Sequence, residues 1–122
     1  MSNLLYYKAL KQMALTNGLS HHVGAMLWRR NKLIAMETNS RRCNSSFTRY
    51  YRRGSANCAH AEMHVLLSAK PNDRLEVLRW KQSPEGIWIL GMAKPCVHCQ
   101  RRIKRIKLKV KYTNSSGQWE RL

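Results

Sequence analysis

The chain has 122 residues, 43% of them hydrophobic, and 23 Lys and Arg against six Asp and Glu leave a formal net charge of +17. That length holds one globular core, a sheet with a few helices, so a single domain over residues 1–122 is expected. No apolar run reaches the length of a membrane span and the first residues, MSNLLYYKALKQM, lack the order of a signal peptide, so the expectation is a soluble protein of the cytoplasm or nucleus with no membrane partner.

The charge would strongly attract a polyanion, or it serves solubility alone. Four cysteines, two of them a Cys-x-x-Cys pair, read poorly as a disulfide framework and better as a metal or redox site.

In chain order, residues 4–15 place Tyr6, Leu10 and Met13 on one helical face, with Gly18 as the C-cap. Residues 22–28 and 33–39 read as two strands joined by a tight polar turn. Residues 40–58, rich in Arg, Ser and Tyr and without a period, read as a long loop. A helix is expected over 60–70, with Met63, Leu66 and Leu67 inward and Pro71 beyond its end. Residues 74–80 and 86–93 both look like strands, and either can be the central one. A further helix over 95–106 carries Pro95 at its favoured first turn. Ile106, Leu108, Val110 and Tyr112 then alternate with Lys107, Lys109 and Lys111, a strand apolar on one face and cationic on the other. A turn leads to a last short strand, QWERL. This order describes an α/β sandwich with helices covering one sheet.

The chemistry gathers in two stretches, HAEMH at 60–64 and PCVHC at 95–99. Zinc takes nitrogen and sulfur ligands in a tetrahedron, and a catalytic zinc keeps one position for water. His60, Cys96 and Cys99 supply three ligands, each near a helix N-terminus, and cysteines three apart on a helix share a face. Glu62 is then close to the metal without being needed as a ligand. A carboxylate beside a metal-held water can take its proton and pass it on. The competing reading closes a fourth position with Cys58, His64 or His98 and makes the metal structural, which leaves Glu62 without a role. Trp28, Trp80 and Trp88 read as core or surface cover rather than substrate platforms.

His-x-Glu followed by Pro-Cys-x-x-Cys resembles the signature of zinc-dependent nucleobase deaminases. Over residues 4–120, the order of elements is similar to the small cytidine/deoxycytidylate deaminase-like proteins of large DNA viruses and protists. The resemblance implies the family's three-layer α/β sandwich, a mixed sheet of about five strands with an antiparallel C-terminal hairpin. It also implies one Zn2+ per chain on His60, Cys96 and Cys99. Glu62 becomes the proton shuttle in a hydrolysis that converts cytosine to uracil, protonating N3 and then the leaving amine. Asn39, although the usual glycine before it is absent, corresponds to a contact with sugar or base, and Ala61 to backbone facing the substrate ring.

Two substrate classes stay open. Arg41, Arg49, Arg52 and Arg53 interleave with Tyr50 and Tyr51 before His60, the way single strands are held by charge and stacking, and seven cationic residues between Arg101 and Lys111 add a second surface. These favour cytosine in single-stranded DNA or RNA as substrate and partner. The short chain ending in a strand hairpin favours free cytidine, deoxycytidine or dCMP, in enzymes that often form homo-oligomers. A third reading is an inactive zinc module that only binds nucleic acid.

Overall fold

A computed structural model describes residues 4–39 and 61–122, apart from the side chains of residues 62–64. Its centre is a six-stranded mixed sheet in the order β2-β1-β3-β5-β6, with β4 paired to β3 off that path. Helix α1 (Leu4–Leu15) lies on one face, and α2 (Ala61–Leu66) and α3 (Val97–Ile106) belong to the other. This is the three-layer α/β arrangement anticipated from the sequence.

β1 (His22–Arg29) shows why two helical layers are needed, since five successive residues of it are buried. The strand period sends Met26 and Trp28 to one face, where they pack with Leu10 and Ala14 of α1. It sends Ala25 and Leu27 to the other, among Val65 of α2 and Cys99 and Ile103 of α3. Ala14 rather than Met13 completes the buried stripe of α1, because Met13 is half-buried at the rim. Gly24 lets α1 sit close: a Cβ there would lie 2.5 Å from Leu10 Cγ. β2 (Lys32–Thr38) returns antiparallel through a tight turn in which Arg30 takes φ +57°. Gly18, at φ +77°, turns the chain after α1.

β3 (Arg74–Gln82), not the 86–93 segment, is the central strand. It pairs with β1 along one edge, while two strands share the other. β5 (Lys109–Thr113) runs parallel beside residues 74–77 of β3, and β4 (Trp88–Gly91) runs antiparallel beside residues 79–82. Buried Thr113 joins the two strand ends, its Oγ1–H donating to Gly91 O at 2.7 Å. β6 (Trp119–Arg121) closes the expected antiparallel C-terminal hairpin. The sixth strand is the short β4, whose pairing with half of β3 no hydrophobic pattern encodes.

Two expectations need correction. The alternating run does not begin at Ile106, which ends α3; Lys107 adopts φ +66° and its N–H returns to Ile103 O and Lys104 O, so β5 starts at Lys109. Likewise α2 stops at Leu66, and Leu67 beyond it is 62% exposed while Val65 and Leu66 are buried. The segment read as a long loop, 40–58, lies wholly outside the described residues.

Two buried carboxylates tie the layers together. Glu76 accepts from Trp28 Nε1 at 2.7 Å and from the Tyr7 hydroxyl at 3.1 Å, and it pairs with Lys111 Nζ at 3.0 Å. Burial, reinforced by the Glu76 charge, pushes the Tyr7 hydroxyl up to about 12. Asp73 takes a two-pronged contact from Arg29, Nε to Oδ1 at 3.0 Å and Nη2 to Oδ2 at 2.9 Å. That guanidinium, with the Lys70 N–H, holds its carboxyl below the usual carboxylate range despite burial. Among the described residues, no helix is long and apolar enough to cross a membrane.

Candidate active site

The segment leaving β4 builds one wall of a cleft of about 480 Å³ at the start of β1 and the far end of β3. Ala93 N–H donates to Thr113 O at 2.8 Å, which fixes this segment to the end of β5. Pro95 follows, buried, and Cys96 caps α3 in an extended conformation (φ −68°, ψ 168°). Gln100 steadies the first turn, its backbone N–H donating to Cys96 O at 2.8 Å and its side chain to Pro95 O at 2.7 Å. Cys96 is half-buried on the cleft wall, and Cys99, one turn on, is fully buried.

The opposite wall comes from α2 and from the ends of β1 and β2. Ala61, the first described residue of α2, is buried in the cluster that contains Cys99, with Cys96 packed against it. Asn39 lines the same cleft. Its Oδ1 accepts from the Val23 N–H at 3.0 Å and the Asn17 amide at 2.8 Å, and its own amide donates to His21 O at 3.1 Å. The side chain therefore locks the α1–β1 turn to the end of β2 as well as facing the cleft. Sugar or base contact was the expectation; the described hydrogen bonds make it at least a brace.

Three of the expected site residues, Asn39, Ala61 and Cys96, thus meet at one cleft, with Cys99 behind it. His60 lies outside the described residues, as do Arg41, Arg49, Tyr50, Tyr51, Arg52 and Arg53. Glu62 belongs to α2, with its side chain outside them too. Trp28 and Trp80 are core residues, as read, and Trp88 packs against the same cluster.

Sequence reasoning missed three side chains at the cleft, His21 and the cationic Arg79 and Lys94. Arg79 had a signal: Leu75, Val77 and Arg79 share a face of β3, so it breaks an apolar alternation. It is half-buried, and its Nη2 lies 3.5 Å from His21 Nδ1. Among the described residues no carboxylate lines this cleft or pairs with Arg79.

The donor set suits zinc. Two sulfurs one turn apart stand at the amino end of a helix, one buried and one on the cleft, and α2 brings the residue following His60 into the same packed cluster.

The layered sheet and the cysteine pair at the start of a helix define the cytidine deaminase-like α/β class. The chain belongs to the family described as the cytidine and deoxycytidylate deaminase zinc-binding region, whose model matches residues 2–113. The fold is shared with two crystal structures of the dCMP deaminase from the cyanophage S-TIM5. One, in complex with dCMP and dUMP, is 18% identical with a TM-score of 0.56, over 94% of this chain and 85% of that one. The other, the apo form, is 19% identical with a TM-score of 0.54, over 95% and 87%. Among curated proteins, none gives a significant sequence match. The family is a zinc-binding one, so Zn2+ is the metal of this chain.

Proposed function

We infer that the chain, read as a single deaminase domain, hydrolyses the 4-amino group of a free cytosine nucleotide of the dCMP type, releasing ammonia and leaving a uracil nucleotide. The observation that carries this is the cleft itself. It is large enough for one nucleotide, touches Cys96 and Ala61, and presents His21, Arg79 and Lys94 with no carboxylate among the described residues that line it. A half-buried guanidinium without a carboxylate partner suits a phosphate, which a nucleoside lacks. The family's deoxycytidylate members and the dCMP-bound relative point the same way.

In this reading His60, Cys96 and Cys99 hold the zinc. When bound, zinc supplies a Lewis acid that activates water at C4. Glu62 moves the protons, first to N3 and then to the departing amine. Ala61 offers backbone at the ring, Asn39 braces the cleft, and Arg79 with Lys94 receives the phosphate.

The polynucleotide reading keeps the support of the net charge of +17 and of the Arg- and Tyr-rich residues 41–53, which lie outside the described residues. A deamination assay on dCMP, deoxycytidine, single-stranded DNA and single-stranded RNA decides between them. We expect dCMP to have the highest kcat/KM; faster turnover of an oligonucleotide overturns the free-nucleotide reading.

A further inference from the structure

Among the described residues, α1 alone lies on its face of the sheet and covers only part of it. Beyond it, β3, β5 and β6 present a groove of about 570 Å³ whose charged lining is Arg74, Lys109, Lys111 and Arg121 around the buried Glu76. The register explains this gathering: Arg74 pairs with Lys109, Glu76 with Lys111, and Lys111 with Arg121, so all share one face. Among the described residues, Glu76 forms an ion pair with Lys111 only. A second groove, along the edge of α1, carries Lys8 and Lys11 and, among the described residues, no acidic one.

Trp119 lines the second groove and reaches the first through Lys111. Its ring is 4.6 Å below Lys111 Nζ, it packs near Tyr7, and it stays 40% exposed. A large aromatic left in water between two sets of cations is the pairing that holds single strands, rings under bases and ammonium or guanidinium groups on phosphates. The grooves share no lining residue with the catalytic cleft.

We propose that this uncovered sheet face is a binding surface for single-stranded nucleic acid, with Trp119 as a base-stacking platform and Lys8, Lys11, Arg74, Lys109 and Arg121 as phosphate contacts. Self-association through this face would set the same cations against each other, which disfavours a second copy as its occupant. The surface is separate from the deamination site and does not depend on which cytosine substrate that site takes.

The test is fluorescence anisotropy of the zinc-loaded protein with a fluorescein-labelled oligothymidylate of about 15 nucleotides, which offers no cytosine to the cleft. With three to five phosphate contacts, the log–log salt slope is expected at about −2 to −3.5. Lys109→Ser with Arg121→Ser should reduce its magnitude by about 1.4 and leave dCMP turnover unchanged. Trp119→Ala should weaken binding about five- to hundred-fold at fixed salt with the slope unchanged, and Trp119→Phe should recover most of it. Should Trp119→Ala fold poorly, Trp119→Leu against Trp119→Phe makes the same comparison of ring with no ring.

An unaltered slope in the Lys109/Arg121 variant would place binding elsewhere, on the Arg-rich residues 41–53, and overturns the proposal. So does undiminished binding by the ringless variants, absence of oligonucleotide binding at low salt, or a surface whose loss changes only self-association.

Discussion

Arg29 and Arg79 lie near opposite ends of the antiparallel β1–β3 pair, and their surroundings differ. Arg29 is clamped on Asp73 by two hydrogen bonds and reaches Ser68 O with a third, at 3.1 Å. Arg79 has a histidine ring at 3.5 Å and open cleft. A guanidinium clamped on a buried carboxylate works for the fold, stitching the start of β3 to the end of β1. Arg79 is half-buried, with no carboxylate beside it among the described residues. The contrast is between an arginine that the fold uses and one that the proposed function assigns to the phosphate of the substrate.

The comparison is sharpened most by the metal. Replacing Cys96 and Cys99 together with Ala should abolish zinc binding and turnover and lower the melting temperature, because metal binding is coupled to folding. Full zinc content in that double variant, measured by elemental analysis, would sink the ligand assignment. Glu62→Ala should keep zinc and fold but lose about 10² to 10⁴ in kcat; retention of more than about a tenth of the rate refutes the proton-shuttle role.

The two arginine sites can then be crossed. Arg79→Ala should lower kcat/KM for dCMP about 10- to 100-fold, as expected for a lost charge-assisted hydrogen bond, with deoxycytidine turnover and melting temperature little changed. Asp73→Asn should do the reverse, lowering the melting temperature by several degrees and sparing kcat/KM. Equal effects of both variants on stability and activity would dissolve the distinction.

A pH series gives the smallest signal. Because Arg29 holds the Asp73 carboxyl below its ordinary value, its stabilisation is complete above the unfolded pKa and lost as pH falls through the folded one. The melting temperatures of wild type and Asp73→Asn should therefore converge below about pH 4. Tyr7 has the opposite sign. Its stabilisation is present below the unfolded value of 10.0 and lost as pH rises through about 12. Tyr7→Phe should remove that part of the alkaline loss, seen as a smaller drop in melting temperature over this interval.

Much of the fold was legible because periodicity is a local property. The span of α1 was read at both ends, and the β1–β2 hairpin to within a residue or two. What escaped depended on partners distant in sequence. Nothing in WILG says that it pairs with only half of β3, and Ile106 satisfies a strand alternation and a helix period equally until Lys107 turns left-handed. At the site, the candidate metal ligands were read from spacing, and Asn39 and Ala61 from the resemblance. His21 and Lys94 were hidden because they lie on separate connecting segments, and the break that Arg79 makes in the β3 alternation acquires meaning only where those segments meet it. Glu76 was hidden for the same reason: its role depends on Trp28, Tyr7 and Lys111, each far from it along the chain.

The shared edge of β3 has one further consequence. β5 occupies residues 74–77 and β4 residues 79–82, leaving Leu78 as the gap between them. β3 thus acts as a ruler: every residue added to β4 must be taken from the space of β5 or pushed forward into the segment that leads to Cys96. One residue of strand is about 3.3 Å, more than the tolerance of a metal site for its ligands. Insertions between Gly91 and Pro95 should therefore be far less tolerated than insertions of the same size in the 83–87 turn. The position of the thiols is measured out by the length of a strand on which neither of them lies.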